Sequence, residues 1–478
     1  MRHALPMLFA LCGCAAVGDD YQRPAASLPS SWSETSSAPD LPVAALEEWW
    51  SAFDDPTLDR LIERARERNL DLAIAAARVR EARAELGVSE SARLPSVDAG
   101  AGYARTRQSL EARGGAPFFG ERENDLWEVG FDARWELDVF GGARRSVEAA
   151  VANLGASEDA LRATLTSLVA EVARSYVELR GLQRQLAVVS SRVELRQQLA
   201  EIVQVRARAG VASDLDASRA DAQVASERAE LPALEALIAQ RIHALGVLLS
   251  DEPRALAGEL GSGDAIPSAD AALVLDQPLE LLRRRPDIRA AERRCAAASA
   301  RVAAAVAARY PRVSLGAGFG WIANDSGDLF ESSSLAVSIF PSISLPIFDA
   351  GLRGAQVRAA GAREEAAVLE YRGVVLGAAK EVEDALAAIA GATRRRATLR
   401  TAVEAQARAA DLARQLYTGG VVDFLIVLDA ERELFALQDQ LTRSEAETSV
   451  QFVALAKALG GGWDPSEESV VATMEPAR

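Results

Sequence analysis

The stretch LWEVGFDARWELDVF, residues 126–140, alternates apolar and polar side chains. From Trp127 to Val139 every odd position is apolar, and two of these positions are tryptophans. The even positions between them are charged apart from one glycine, namely Glu128, Asp132, Arg134, Glu136 and Asp138. Since successive side chains of a strand point to opposite faces, the pattern predicts a β-strand with one apolar face and one ionic face.

Composition restricts the class of protein. The chain of 478 residues has a net charge of -16, whereas nucleic-acid binding requires a basic surface, so we expect no nucleic-acid partner. No internal run of eighteen apolar residues occurs, so we expect no membrane-spanning helix. The two histidines and three cysteines lack the spacing of metal ligands or of a nucleophilic site, which predicts a protein that is not an enzyme and needs no metal or cofactor.

The N-terminus, MRHALPMLFALCGC, has the polar start and short apolar core of a signal peptide, predicted over residues 1–13. Cys14, after a small residue, resembles the cysteine of a bacterial lipobox and would be lipidated; an ordinary signal peptide with chance cysteines is the alternative. Ala15, in place of an aspartate, indicates sorting to the outer membrane. Residues 14–50, rich in proline and serine, are predicted to form the lipidated N-terminus and an extended periplasmic linker.

The rest of the chain is a duplication. ARLPSVDAGAGYA from Ala92 returns as ARYPRVSLGAGFG from Ala308, and AGVASDLDASRADAQ from Ala209 returns as GGVVDFLIVLDAERE from Gly419. The predicted repeats cover 51–260 and 261–463, and a C-terminal tail covers 464–478. Each repeat is predicted to hold helices, a β-hairpin and a long helical hairpin; the β-hairpins lie at about 95–139 and 312–348, and the helical hairpins at about 142–250 and 352–460.

The first helix of each helical hairpin is predicted to be very long. These helices cover about 142–208 and 352–417, each on the order of 100 Å, and a three-four spacing of apolar residues indicates a coiled coil. Gly210 and Gly420 are expected to end them in the left-handed conformation. Ser213 and Asp423 follow at positions typical of the N-cap of a returning helix.

The second β-hairpin, RVSLGAGFGW and SLAVSIFPSISLPIF, alternates in the same way, although Phe340 breaks the pattern by standing among serines. A soluble sandwich would give this alternation too. The lipobox, strands near the ~10 residues that span a bilayer, and aromatic residues suited to its interfaces favour a transmembrane β-barrel. Because two strand pairs cannot close a barrel in lipid, several copies must share one, and the ionic face would line its water-filled lumen.

Several segments, in this order along the chain, resemble the TolC family of outer-membrane efflux channels, in the lipoprotein branch related to OprM and NodT. They are FDDPTLDRLIERARERNLDL from Phe53, LLRRRPDIRAAE from Leu281, and YTGGVVDFLIVLDAERELF from Tyr417. The resemblance implies an α+β membrane protein: a homotrimer with four strands per chain in one barrel and paired helices in a long periplasmic tunnel. It also implies a periplasmic adaptor protein and an inner-membrane pump, of the resistance-nodulation-division type, as partners.

The resemblance places a periplasmic gate at Leu425 and Asp429, which are four residues apart and therefore share a helix face. In a trimer they would form an apolar ring and an anionic ring; the alternative for Asp429 is a solvated residue near a helix N-terminus. Ile426 and Val422 replace a second aspartate and an arginine that some relatives carry. The hairpin tips would comprise Gly210, Asp214, Asp216, Tyr417, Gly420 and Asp423.

Three functions fit this sequence. The first is a passive outer-membrane duct that exports small molecules in a tripartite efflux system. The second is the duct of a type I protein secretion system, which fold alone does not distinguish from the first. The third is a coiled-coil lipoprotein scaffold that forms no channel.

Overall fold

The computed structural model describes residues 16–25, 31–32, 46–107, 109, 123–263, 265–269 and 283–464. The predicted signal peptide and Cys14 lie outside the described residues, as do most of the predicted linker and nearly all of the predicted tail. The described chain forms, in order, α1 (Pro56–Arg68), α2 (Leu70–Ser91), β1 (Ser96–Arg107), β2 (Glu123–Leu137), α3 (Gly142–Arg208), α4 (Asp214–Leu248), α5 (Ala257–Leu260), α6 (Pro286–Ala307), β3 (Arg312–Ala323), β4 (Leu335–Ser344), α7 (Leu352–Thr418) and α8 (Phe424–Ala458).

The strands form one antiparallel sheet in the order β1-β2-β3-β4. The register sets Asp98 of β1 opposite Asp132 of β2, which in turn lies opposite Gly318 of β3 and, beyond it, Ser338 of β4. Since directly opposed residues point to the same side of a sheet, the even-numbered residues of all four strands share one face. We call it the polar face, because it carries the glycines of β3, the serines of β4 and, from β2, Glu128, Asp132, Arg134 and Glu136.

Two strands approach each other very closely on the polar face at Gly130 and Gly320, which are direct partners. A Cβ atom on Gly320 would lie 2.5 Å from the carbonyl oxygen of Val129, and one on Gly130 would lie 2.9 Å from that of Phe319. A Cβ atom is not accommodated this near a backbone oxygen, so the contact between β2 and β3 requires glycine at both positions.

The two long helical hairpins have matching lengths. The helices α3 and α7 each contain 67 residues, and α4 and α8 each contain 35. Equal lengths are what a duplicated sequence produces, and the observed bounds of α3 and α7 lie within one residue of the predicted ones. By length and composition alone α4 would pass as a membrane-spanning helix, which is weak evidence and does not overturn the expectation that no helix spans the membrane.

The chain divides into two compact units, each built from three segments. One comprises Met1–Ala25, Val79–Ser157 and Ala291–Tyr371 and holds the four strands. The other comprises Ala26–Arg78, Glu158–Ala290 and Arg372–Arg478 and holds the turns of both helical hairpins. Each unit therefore takes chain from both predicted repeats, and the compact units do not coincide with the repeats.

Candidate functional site

Both helical hairpins turn in the same way. Gly210 and Gly420 follow α3 and α7 with φ angles of 73° and 74°. In the first turn Gly210 donates its N–H to the carbonyl of Ala207 and Val211 donates to that of Arg206; in the second turn the same bonds run from Gly420 to Tyr417 and from Val421 to Leu416. These pairs form the Schellman motif, which satisfies the last carbonyls of a helix and favours glycine because of its positive φ.

The returning helices begin differently at the two tips. At the start of α4 the Ser213 hydroxyl accepts a hydrogen bond from the N–H of Asp216 at 3.1 Å, and the Asp216 carboxylate accepts from the N–H of Ser213 at 3.3 Å. This capping box explains why an aspartate stands at position 216. Asp214 lies in the first turn of α4, where the helix dipole favours an acid. Asp423 is the N-cap of α8, but its side chain makes no cap hydrogen bond.

The four long helices meet in one apolar cluster near the turns. Every helix contributes at least one buried side chain to it, so the two tips share a single small core. Its buried members are Ala200 and Val203 of α3, Ala220 of α4, Ala413 and Tyr417 of α7, and Phe424 and Val427 of α8. Because each hairpin covers apolar surface of the other, moving one hairpin away from the other would expose this cluster to water.

The predicted gate residues lie on the exposed face of α8. Leu425 is 49% exposed, and the Asp429 side chain is 58% exposed. Arg432, which we did not predict, places its Nη2 atom 3.5 Å from Oδ1 of Asp429 on the same face. An acid followed three residues later by a base on a helix was the available signal. The exposed face therefore presents an apolar side chain, a carboxylate and a guanidinium in succession.

The opposite face of α8 buries a carboxylate that we also did not predict. Glu431 is 0% exposed, and its Oε1 atom lies 3.3 Å from Nε of Arg414 in α7. Neither of its oxygens has a hydrogen-bond partner. Burial raises the pKa of Glu431, and the nearby Arg414 and Arg196 lower it by less. The buried face of α8 therefore holds a carboxyl group that is poorly stabilised as an anion.

Arginines of α3 contact aromatic groups of the second hairpin. The Arg206 guanidinium lies over the ring of Tyr417, 4.6 Å from its centroid, and donates to the Tyr417 carbonyl at 3.1 Å. Arg192 and Arg196 lie over the ring of Phe435 at 5.1 and 4.9 Å. Guanidinium groups stack well on aromatic faces, so these contacts tie α3 to α7 and α8.

The structure keeps four of the five predicted lumen residues together. Glu128, Asp132, Arg134 and Glu136 are even-numbered residues of β2 and stand on the polar face. Asp138 does not, which corrects that prediction: it follows the end of β2, and its carboxylate accepts hydrogen bonds from the N–H groups of Ala143 and Arg144. The free N–H groups at the start of α3 bind the acid more favourably than a continued strand would.

The described residues contain no group of three or more His, Cys, Asp or Glu side chains placed to hold a metal ion. Cys295 is buried in α6, and its thiol donates to the carbonyl of Ala367 at 3.2 Å. Burial, followed by the charge of Glu292, raises the pKa of this thiol to about 11. Cys295 is therefore an unreactive packing residue.

Comparison with known proteins gives matches along nearly the whole chain. The family described as "Outer membrane efflux protein" matches residues 61–250 and 278–461. The chain is 34% identical to the toluene efflux pump outer membrane protein TtgI of Pseudomonas putida, over 97% of this chain and 99% of that protein. It is 32% identical to the probable outer membrane lipoprotein SilC of Salmonella typhimurium, over 96% and 98%. Among solved structures, the outer-membrane channel OprN is similar, with a TM-score of 0.86 and 36% identity over 94% of this chain and 99% of that one.

Proposed function

Since the chain belongs to the outer membrane efflux protein family, we propose that it is a gated duct that closes where three copies of α8 meet on the axis of a trimer. The chain is an outer-membrane efflux channel, and its fold class is that of the trimeric TolC-family channels, with long helical hairpins and four strands per chain for a shared barrel. This confirms the fold class, the location and the efflux function that the sequence predicts. Protein secretion, the alternative, is not favoured.

The exposed face of α8 supports the position of the gate. On a three-fold axis, Leu425 would form an apolar ring that excludes water and Asp429 an anionic ring one helical turn further along. Three close carboxylates repel one another, which would favour cations in the opening. Arg432, 3.5 Å from Asp429 within the same chain, would offset part of that charge. The gate would therefore close chiefly by apolar contact between the leucines.

Opening would require the second hairpin to move relative to the first. The shared apolar cluster and the contact between Arg206 and Tyr417 both oppose that motion. We propose that transport itself is passive and that no covalent bond is made or broken. The energy for opening would come from partners that contact the tips.

The tips present apolar side chains to such partners. Val211 and Val421 are 66% and 70% exposed at the two turns, and Leu215 is exposed at the start of α4. A periplasmic adaptor protein would dock on these residues, and an inner-membrane pump of the resistance-nodulation-division type would supply the energy. The relative SilC is named a probable outer membrane lipoprotein, which supports lipidation of Cys14 and anchoring of this chain in outer-membrane lipid.

A recording of ionic current tests the gate. The purified trimer is placed in a planar bilayer as wild type and as the double variant Leu425→Ser, Asp429→Ala. We expect a small, flickering current from the wild type and a large, stable current from the variant. Equal currents from the two proteins would mean that the gate lies elsewhere. If neither protein conducts although insertion of its trimer is verified, the channel is contradicted.

A matched control comes from the first repeat. Leu215 lies five residues after Gly210, as Leu425 lies five residues after Gly420, and it is similarly exposed. The double variant Leu215→Ser, Asp214→Ala makes the same chemical changes at the other tip. We expect it to conduct like the wild type; a large current from it would show that the closure is not specific to α8.

A further inference from the structure

The polar face of the sheet has a floor without side chains along β3. Gly316, Gly318 and Gly320 occupy three successive even-numbered positions of that strand. Alternate residues of one strand face are about 6.8 Å apart, so this bare floor extends over roughly 14 Å. The side chains of the neighbouring strands can therefore lean over β3 from both sides.

Phe340 of β4 borders this bare stretch of β3 on one side. It is the partner of Gly316 in the sheet register, and a Cβ atom on Gly316 would lie 2.0 Å from Cε2 of its ring. The ring therefore lies across Gly316 and fills the place of the missing side chain. Even so, Phe340 remains 52% exposed, so part of the ring stays open on a face where Ser338 and Ser342 are its strand neighbours.

The opposite wall is formed by β2, where Arg134 is the partner of Gly316 and Asp132 is the partner of Gly318. A Cβ atom on Gly318 would lie 3.5 Å from the Oδ1 atom of Asp132 and 2.8 Å from the Ser338 hydroxyl oxygen. The carboxylate therefore leans over β3 one step along from the Phe340 ring. Within the described part of the chain, no Lys, Arg or His nitrogen comes within 4.0 Å of the Asp132 carboxylate. Its negative charge is therefore available to a ligand.

We propose that these residues form a binding site for planar aromatic cations on their way through the duct. We call it the β3 groove: the floor Gly316 and Gly318 between the walls Phe340 and Asp132. The aromatic body of a solute would stack on the open part of the Phe340 ring while its positive charge meets the Asp132 carboxylate. Phe340 and Asp132 lean over glycines about 6.8 Å apart, which suits a bicyclic aromatic ring with the charge at one end. This inference rests on the proposed placement of the polar face in the lumen.

Block of the ionic current by 1-methylquinolinium tests the groove. The recordings use the trimer opened by Leu425→Ser, Asp429→Ala, so that the gate does not obscure block within the barrel. We expect Phe340→Ser to raise the half-blocking concentration about two- to tenfold, which is the usual worth of an aromatic contact, and Phe340→Trp to preserve block. Block by tetramethylammonium, which has no ring, should change little in either variant.

Two further variants distinguish the contribution of the Phe340 ring to block from those of the Asp132 charge and of the glycine floor. Asp132→Asn should weaken block by 1-methylquinolinium but not by neutral quinoline. Gly318→Ala should weaken block by filling the floor, because its Cβ atom would displace the Ser338 hydroxyl, which is 2.8 Å away, while lying in ordinary contact, 3.5 Å, with the Asp132 carboxylate. Phe319→Ser is the matched control, because it removes an exposed aromatic ring from the opposite face of β3 and should leave block unchanged. Unchanged block in Phe340→Ser would overturn the site.

A thiol reaction tells failure of the site from failure of the lumen placement. In Ser338→Cys, a charged thiol reagent should lower the current, because the residue lies on the polar face beside the groove. If the reagent lowers the current but Phe340→Ser leaves block unchanged, the groove is wrong and the lumen placement stands. If the reagent has no effect on the current, the polar face does not line the path, and both proposals fall.

Discussion

The Nε atom of Arg414 lies 3.3 Å from Oε1 of Glu431, yet neither atom has a hydrogen-bond partner. The pair is held by charge alone, and its carboxylate is buried, although removing a carboxylate from water is costly. The Arg414 side chain is a third exposed, and its Nη2 atom lies 3.2 Å from Oδ1 of Asp411. Water and Asp411 therefore stabilise the guanidinium charge without Glu431. Of the two, Glu431 is the less well satisfied.

We predict that Glu431→Gln stabilises the trimer at neutral pH, by about 1 kcal/mol or more in the free energy of unfolding. The pKa of Glu431 is raised in the folded chain, so the unfolded chain loses this proton first and stability falls as the pH rises through the folded-state pKa. Below the ordinary pKa of a glutamic acid, both states are neutral and the variant should match the wild type. Thermal unfolding at pH 4 and pH 7.5 measures the difference.

The exposed Glu433 on the same helix provides the control, since Glu433→Gln should change stability little at either pH. A Glu431→Gln variant that is less stable than the wild type at pH 7.5 would mean that the attraction of Arg414 outweighs burial.

We predict that Arg206→Ala increases the current through the otherwise wild-type channel. The substitution removes a guanidinium–aromatic contact of about 0.5–2 kcal/mol and a hydrogen bond to the Tyr417 carbonyl, both of which hold the second hairpin against α3. A loss of 1.4 kcal/mol is a tenfold change in an equilibrium constant, so the open fraction should rise several-fold. Single-channel recording in planar bilayers measures it.

Arg208→Ala is the matched control for this experiment, because Arg208 is exposed and its Nε donates to the carbonyl of Gln204 in its own helix. Arg206→Lys should give an intermediate current, since the ammonium keeps the charge without the planar stack. If Arg206→Ala and Arg208→Ala conduct alike, the contact with Tyr417 does not hold the gate.

We predict that the two tips respond unequally to loss of their caps. Ser213→Ala removes a complete capping box and should destabilise the first turn of α4 by about 1 kcal/mol. Asp423→Ala removes no cap hydrogen bond and should cost much less in α8. Amide hydrogen exchange at the first turns of the two helices compares them directly, and equal acceleration in both variants would contradict the assignment.

We predict that Gly130→Ala and Gly320→Ala prevent correct assembly of the barrel. In each variant the new Cβ atom would meet a carbonyl oxygen of the neighbouring strand at less than 3.0 Å, so β2 and β3 would have to separate. Gly100 lies in the same row of the sheet but has open space around it within the chain, so Gly100→Ala should assemble. Heat-resistant trimers on gels report assembly, and normal trimers from Gly320→Ala would refute the close contact.

Much of the fold could be predicted from local pattern. The alternation around Trp127 gave a strand, and Gly210 and Gly420 marked two helix ends, because strand faces and helix termini depend on residues close in sequence. The same rule failed at Asp138, where the alternation continues past the end of β2. There a helix terminus binds the carboxylate, and a period-two pattern contains no information about that competition.

The contacts behind the proposed gate could not be predicted in this way. Arg206 and Tyr417 are 211 residues apart in sequence, and Glu431 is buried only because helices from both hairpins pack around it. Glu431 also stands two residues from Asp429 in a segment rich in charge, where an exposed position is the usual expectation. The neighbouring helices decide whether a charged residue of α8 is buried or exposed, and the sequence of α8 alone does not determine where those helices lie.

The row formed by Gly100, Gly130, Gly320 and Ala336 crosses all four strands along the hydrogen-bonding direction. Because the strands of a closed barrel are tilted, this row would recur in each of three chains as an oblique band on which nothing larger than a methyl group projects from the wall. The wall takes up least of the bore along these bands, and large solutes meet their narrowest passage elsewhere. Because each band also lacks side chains that would resist bending, it is where the wall can most easily change its cross-section.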